Sequence, residues 1–168
     1  MSAKKSSALA GDKKVIEALN KQLTNELTAV NQYFLHARMY ENRGLGRLND
    51  KEYAESIGEM KHADRLVKRV LMLGGLPNLQ ALHKLRIGEN TTEMLTCDHE
   101  LEVMARDHVR NAIALCEQAR DFVSRELFVD ILDDTEEHID WIETQLDLID
   151  AIGLPNYEQS MMGDGEPG

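Results

Sequence analysis

Two pairs of residues in this chain share one spacing. Glu26 and Glu59 lie 33 residues apart, and Glu102 and Thr135 also lie 33 residues apart. The second member of each pair is followed three residues later by a histidine, His62 in "GEMKHADR" and His138 in "DDTEEHID". Each pair sits in a stretch where apolar residues recur at three- and four-residue steps, so each is read as one helical hairpin, and the chain as two hairpins of the same design.

The breaks between helices are marked by glycine and proline. A first helix is expected over about 12–43, with Leu19, Leu23, Val30, Tyr33 and Ala37 on one face. "NRGLGRLND" ends it, and Asn49 or Asp50 offers a cap for a second helix over about 50–73, with Ile57, Ala63, Leu66 and Val70 inward. Gly74 and Gly75 stop that helix, and "GLPNLQALHKLRIGE" (75–89) has no sustained helical period, so it reads as a long connection. Thr91 or Thr92 opens a third helix, about 90–119, with Ala105, Val109, Ala112 and Cys116 inward. A fourth, about 121–151, buries Phe128, Ile131, Leu132, Ile142 and Ile149 and ends at Gly153-Leu154-Pro155; "NYEQSMM" suits a short fifth helix. The expected fold is all-α: a four-helix bundle with one long crossover and a short C-terminal helix, spanning 12–158 between a flexible extension (1–11) and a flexible tail (159–168).

Composition narrows the function. The chain of 168 residues carries 30 acidic against 19 basic residues, a formal charge of -11, which argues against nucleic acid as the partner. No apolar run approaches the ~20 residues of a membrane span. The opening "MSAKKSSALAG" has lysines with no apolar run behind them, so no secretory signal is expected. Cys97 and Cys116 fall on one helix, roughly 28 Å apart at ~1.5 Å per residue, too far to pair within the chain. Two free thiols, both expected as small buried residues, suit a reducing cytoplasm.

The inward stripes are not wholly apolar. Glu26 shares a face with Leu19, Leu23 and Tyr33; Glu59 with Ala63, Leu66 and Val70; Glu102 with Ala105 and Val109; His138 with Ile131 and Ile142. Each helix therefore aims an ionisable group at the bundle axis. A buried unpaired carboxylate is costly, so these groups need a cation or a hydrogen-bond partner. Bundles that hold two metals between their helices carry this pattern, a glutamate on two helices and Glu-x-x-His on the other two. Carboxylates with one imidazole per metal suit Fe(II), Mn(II) or Zn(II). Taken singly each residue would be read as a surface or hydrogen-bonded group, whereas the duplicated spacing makes them one site. His36, His83, His99 and His108 lack paired spacing and are assigned no role.

Over about residues 11–158 the sequence resembles the bacterioferritins. The resemblance is carried by "LNKQLTNELTAVNQYFLHARMY", "ESIGEMKHADR", "GLPNLQ", "IGEN" and "HIDWIETQLDLI". It implies a ferritin-like bundle, about two dozen of which close into a hollow cage that stores ferric mineral. It implies haem b held between paired subunits, with Met60 matching the family's axial ligand. It also implies an intrasubunit di-iron site that oxidises Fe(II), matched by Glu26, Glu59, His62, Glu102 and His138. The sixth ligand of that site is a bridging glutamate, and Thr135 stands in its place. Three carboxylates against two Fe(II) would leave positive charge buried, and a threonine hydroxyl is a poor ligand for a hard cation. Glu136 is turned ~100° away along the helix, and Asp134 is turned the other way. Some relatives carry a further inner iron site on the second helix; its positions here are Ala54 and Gly58, which cannot ligate. Tyr33 and Trp141 match aromatic residues near the di-iron site, where they pack or supply electrons.

Three readings stay open on these residues. The chain is a self-sufficient ferroxidase subunit; or a haem-carrying subunit with a weakened site, co-assembled with a second bacterioferritin whose site is complete and reduced by a ferredoxin-type donor; or a bundle with no metal role. Five intact ligands speak against the third. Intact Met60 beside Thr135, Ala54 and Gly58 favours the second, with a single metal or Zn(II) as possible residual occupants.

Overall fold

The computed structural model describes residues 7–164; residues 1–6 and 165–168 of the expected extension and tail lie outside the described residues. Among the described residues there are five helices and no strand: α1 (Lys13–Asn42), α2 (Gly46–Met72), α3 (Thr91–Gln118), α4 (Phe122–Ile152) and α5 (Leu154–Ser160). α1 packs along α2 and α3 along α4, and α1 against α3 closes the bundle. α5 folds back on α4, where Tyr157 is buried and its hydroxyl donates to Gln145 Oε1 at 2.8 Å.

Side-chain caps start three helices, and at α3 the cap is Asn90, with Thr91 the first helical residue. Asp12 accepts from Lys14 N and Val15 N at the start of α1, Asn90 from Glu93 N at α3, and Asp121 from Ser124 N at α4. α2 departs from expectation. It begins at Gly46, after Leu45, and not at residue 50. Leu45 and Leu48 are buried against Tyr40, Met94 and Leu95, and that burial outweighs the capping potential of the later polar residues. Asn49 lies inside the helix, where its carboxamide accepts from Arg38 Nη1 at 3.2 Å. Two further expectations are corrected. Ile57 is 41% exposed and faces outward. Cys97 is only half-buried, although Cys116 is buried as expected, and both are free thiols.

The core is layered along the bundle. At one end Leu19, Leu23, Leu66, Val70, Phe128 and Ile131 pack together; at the other, Tyr40, Leu48, Met94, Leu95, Ile142 and Tyr157 do so. The ionisable residues of the stripes lie between these two apolar plugs. Each plug excludes water from one side of that belt, which strengthens every charge interaction inside it.

The crossover (73–90) has no regular structure, yet α1 holds it along its length. Asn20 donates to Leu76 O at 3.1 Å and accepts from Asn78 N at 2.9 Å. Thr28 Oγ1 accepts from His83 N at 3.0 Å, Gln32 Oε1 from Arg86 N at 3.1 Å, and His36 Nε2 from Gly88 N at 3.1 Å. These four side chains recur at multiples of four, so one polar stripe of α1 supplies the acceptors that a strand would otherwise provide. Gly88 is required at its end of the segment, because a Cβ there would lie 2.2 Å from Met94 N.

Candidate metal centre

The structure brings the six matched positions together in the polar belt. Glu26, Glu59 and His62 form one group, with ligand atoms all within 4.8 Å of one another. His62 Nδ1 lies 3.2 Å from Glu59 Oε2 and 3.6 Å from Glu26 Oε2. Across the belt, His138 Nδ1 lies 2.9 Å from Glu102 Oε1. Tyr33 donates its hydroxyl to that same Glu102 oxygen, and its ring meets His138 edge-on with centroids 5.3 Å apart. Trp141 is also beside the imidazole, tilted 31° to it with 6.3 Å between centroids.

Thr135 is buried and lines a narrow cavity with Glu26, Tyr33, Glu59 and Glu102. Residue 135 therefore points between the two ligand groups, where a bridging carboxylate would have to sit, and offers a hydroxyl. Glu136 is exposed and pairs with Arg110 at 3.3 Å, so it does not substitute.

Two participants were not read from the sequence. Asp134 does not simply face away: its Oδ2 lies 2.7 Å from His62 Nε2. That is the outer nitrogen, so Asp134 cannot share a metal with Nδ1. Its contact with the outer nitrogen fixes the orientation of the ring. Glu55 joins Glu59 and His138 in a second group whose ligand atoms lie within 4.8 Å of one another. The available signal was Glu-x-x-x-Glu-x-x-His over 55–62, which puts all three side chains on one face of α2.

A third group, His36, Glu52 and Asp98, is fully buried nearer the second plug. His36 Nε2 accepts from Gly88 N, so the ring proton sits on Nδ1 and is directed at Asp98 Oδ1, 2.9 Å away. A nitrogen that carries its proton is no ligand. Burial and the neighbouring Asp98 push the Glu52 carboxyl well above the usual carboxylate range. This group ties α1, α2 and α3 together, with Glu52 Oε1 and Asp98 Oδ2 left without a hydrogen-bond partner. The other histidines without paired spacing are also spoken for: His83 by Asn25, His99 by Glu143 and His108 by Ala18 O.

The carboxylates and imidazoles of the belt shift one another's protonation. Burial, then the nearby Glu26, pushes the Glu59 carboxyl well up, and burial with Glu59 raises Glu102. Burial alone would lower the imidazoles, but hydrogen bonding to Glu26 and Glu59 more than offsets it and takes His62 to about 11. Glu102 does the same for His138, which rises to about 9. At neutral pH both rings are protonated and balance part of the carboxylate charge. Metal loading must expel those protons, because ligating imidazole is neutral. Calorimetry of Zn(II) binding in buffers of different ionisation enthalpy is expected to read at least about two protons released per loaded centre at pH 7, one from each imidazole and more if the raised carboxyls also give theirs up. The sign follows from the raised values: affinity falls as pH falls, by about tenfold per pH unit for each proton displaced. Binding with no proton release would mean the imidazoles are not ligands.

A ferritin-like domain family matches residues 16–152, which cover both ligand groups. The chain is 45% identical over 159 residues to the bacterioferritin of Streptomyces coelicolor, covering 95% of each. It is 47% identical over 151 residues to that of Brucella melitensis, covering 90% of this chain and 94% of the relative. The chain belongs to the bacterioferritin family. A third bacterioferritin, from Mycolicibacterium paratuberculosis, is 45% identical over 149 residues, 89% of this chain and 94% of the relative. In this chain the expected ligands Glu26, Glu59, His62, Glu102 and His138 share one buried belt. Met60 does not join it; its side chain lies on the outer face of α2 and is 55% exposed. Ala54 is exposed, and Gly58 lines an open cavity with Glu55, Glu59, His62, Asp134 and His138. No described helix is long and apolar enough to cross a membrane.

Proposed function

We propose that this chain is a subunit of an iron-storing cage which binds haem b at its paired face and whose own Fe(II)-oxidising centre is slow. Family membership supports iron storage. The observation that carries the finer reading is Thr135, a buried hydroxyl placed between two ligand groups. Oxidation of two Fe(II) by one dioxygen or peroxide needs both ions held at close, fixed separation. With Thr135 in place only Glu59 is positioned to span them. A second bacterioferritin subunit with a complete set of ligands would complement it within a mixed cage.

The outer face of α1 and α2 suits both pairing and haem. Phe34, Tyr53, Ile57, Met60 and Leu71 are large, apolar and exposed there, and Arg38 lies over the Phe34 and Tyr53 rings at 5.6 and 4.7 Å. A two-fold axis through such a face would bring two Met60 thioethers to one haem iron. Bound haem supplies one-electron transfer, here from a ferredoxin-type donor toward the stored mineral for release. Tyr33 and Trp141 flank His138 and are placed to pass electrons to the centre as oxygen is reduced.

The test is the chain assembled alone. Given about two Fe(II) per subunit, it is expected to lack the fast saturable absorbance phase of a complete centre in stopped flow, and to take up iron through slow mineral growth. Mixed assembly with a complete-site homologue restores the fast phase. A fast saturable phase from the chain alone would sink the reading and leave the self-sufficient ferroxidase in its place.

A further inference from the structure

We infer that Glu55 supplies the missing fourth carboxylate, as a terminal ligand to the metal at His138; this rests on the polar belt being a metal centre. Glu55 lies one turn before Glu59 on α2. Its Oε2 is 3.7 Å from His138 Nδ1, the nitrogen that also meets Glu102. Its other oxygen is 2.8 Å from Lys51 Nζ, at the mouth of the open cavity that leads to Glu59, His62 and His138.

The bland alternative is an i,i+4 surface pair with Lys51, and such pairs are common. Two observations exceed it. The Glu55 side chain is only 22% exposed. Its second oxygen is turned inward, away from Lys51, into a group with Glu59 and His138 whose ligand atoms all lie within 4.8 Å of one another. A divalent ion held at His138 Nδ1 would lie within reach of that Glu55 oxygen, which is 3.7 Å from the nitrogen.

Charge balance points the same way. Glu26, Glu59 and Glu102 leave two divalent ions under-neutralised in a water-poor belt, and Glu55 brings the sum to neutrality. Geometry limits what it can replace. Glu55 approaches from the mouth, grouped with Glu59 and His138 and not with Glu26 and His62. It completes one metal's ligand set without spanning both. Only Glu59 belongs to both groups, so the centre would hold two ions with Glu59 as their one shared carboxylate, and binding and fast oxidation would be separable properties in this chain.

Co(II) binding to the assembled, mineral-free cage tests this without relying on turnover. The wild type is expected to bind about two Co(II) per subunit. Glu55→Gln should weaken the second site by on the order of 100-fold, the upper end for lost support of a bound metal, and leave the first unchanged. Thr135→Glu added to Glu55→Gln should return the second site. Lys51→Ala should keep both sites, and so should Glu136→Gln. Two sites of unchanged affinity in Glu55→Gln would make Glu55 a partner of Lys51 only. A wild type with a single site would also overturn the role of Glu55 while leaving the metal centre standing. A wild type that binds no Co(II) would overturn the metal centre itself.

Discussion

Thr135→Glu is expected to give this chain a fast Fe(II)-oxidation phase, with an initial rate on the order of 10- to 100-fold above wild type, the range typical of restoring a metal-site partner. The cavity lined by Glu26, Tyr33, Glu59, Glu102 and Thr135 marks where the new carboxylate goes. His138 lies one turn further along the same face of α4, so residue 135 is already aimed at the metals. The substitution adds a second bridge beside Glu59, and Glu55 then becomes dispensable for metal binding. It has a cost without metal. Another carboxylate joins a belt whose burial already raises Glu59 and Glu102. Urea unfolding of the metal-free variant should show a loss of about 1–3 kcal/mol, the usual range for a poorly paired buried polar group. Saturating Zn(II) should recover it, since a ligand that binds only the folded state stabilises it. A variant that binds two metals and oxidises no faster would place the defect elsewhere, for example in the route iron takes to the centre.

The fold and the inward placing of Glu26, Glu59, His62, Glu102 and His138 were legible because both rest on local periodicity. Three- and four-residue apolar steps gave the helices, and a glutamate inside such a stripe announces itself as misplaced. The start of α2 was less legible, because Asn49 and Asp50 are good capping residues and the burial of Leu45 and Leu48 is a long-range fact. Ile57 was placed inward by its apolarity, but it belongs to the outer face with Tyr53 and Met60. The order of the crossover was hidden for a related reason. Asn20, Thr28, Gln32 and His36 look like an ordinary solvated stripe until the segment they hold is laid against them. Asp134 shows the limit of arguing from helix rotation alone. Turned away from the axis, it still reaches the outer nitrogen of a histidine on a different helix. Glu55 was masked by Lys51, which makes it read as half of a surface pair.

Met60→Leu is expected to abolish haem binding while the cage still assembles. The outer face of α2 gains no polarity from this change, and leucine is close to methionine in volume, so the apolar stripe of Tyr53, Ile57 and Leu71 remains available for pairing. What disappears is the thioether, and on a two-fold face it disappears twice, because each subunit contributes the same residue. Loss should therefore be near complete and not half. The readouts are haem content per cage and the bis-thioether absorption spectrum after reconstitution, with cage size followed by light scattering. Met104 is the control: it is also exposed, at 44%, but it lies on α3 away from that face, so Met104→Leu should bind haem as wild type does. Met60→His separates ligation from packing, since it should keep haem but change its spectrum and potential as the axial ligand changes. An unaltered thioether spectrum in Met60→Leu would remove Met60 from the haem site. Iron release driven by a reduced ferredoxin should slow in Met60→Leu, while the rate of Fe(II) oxidation stays where Thr135 sets it, because the two sites sit on opposite faces of α2.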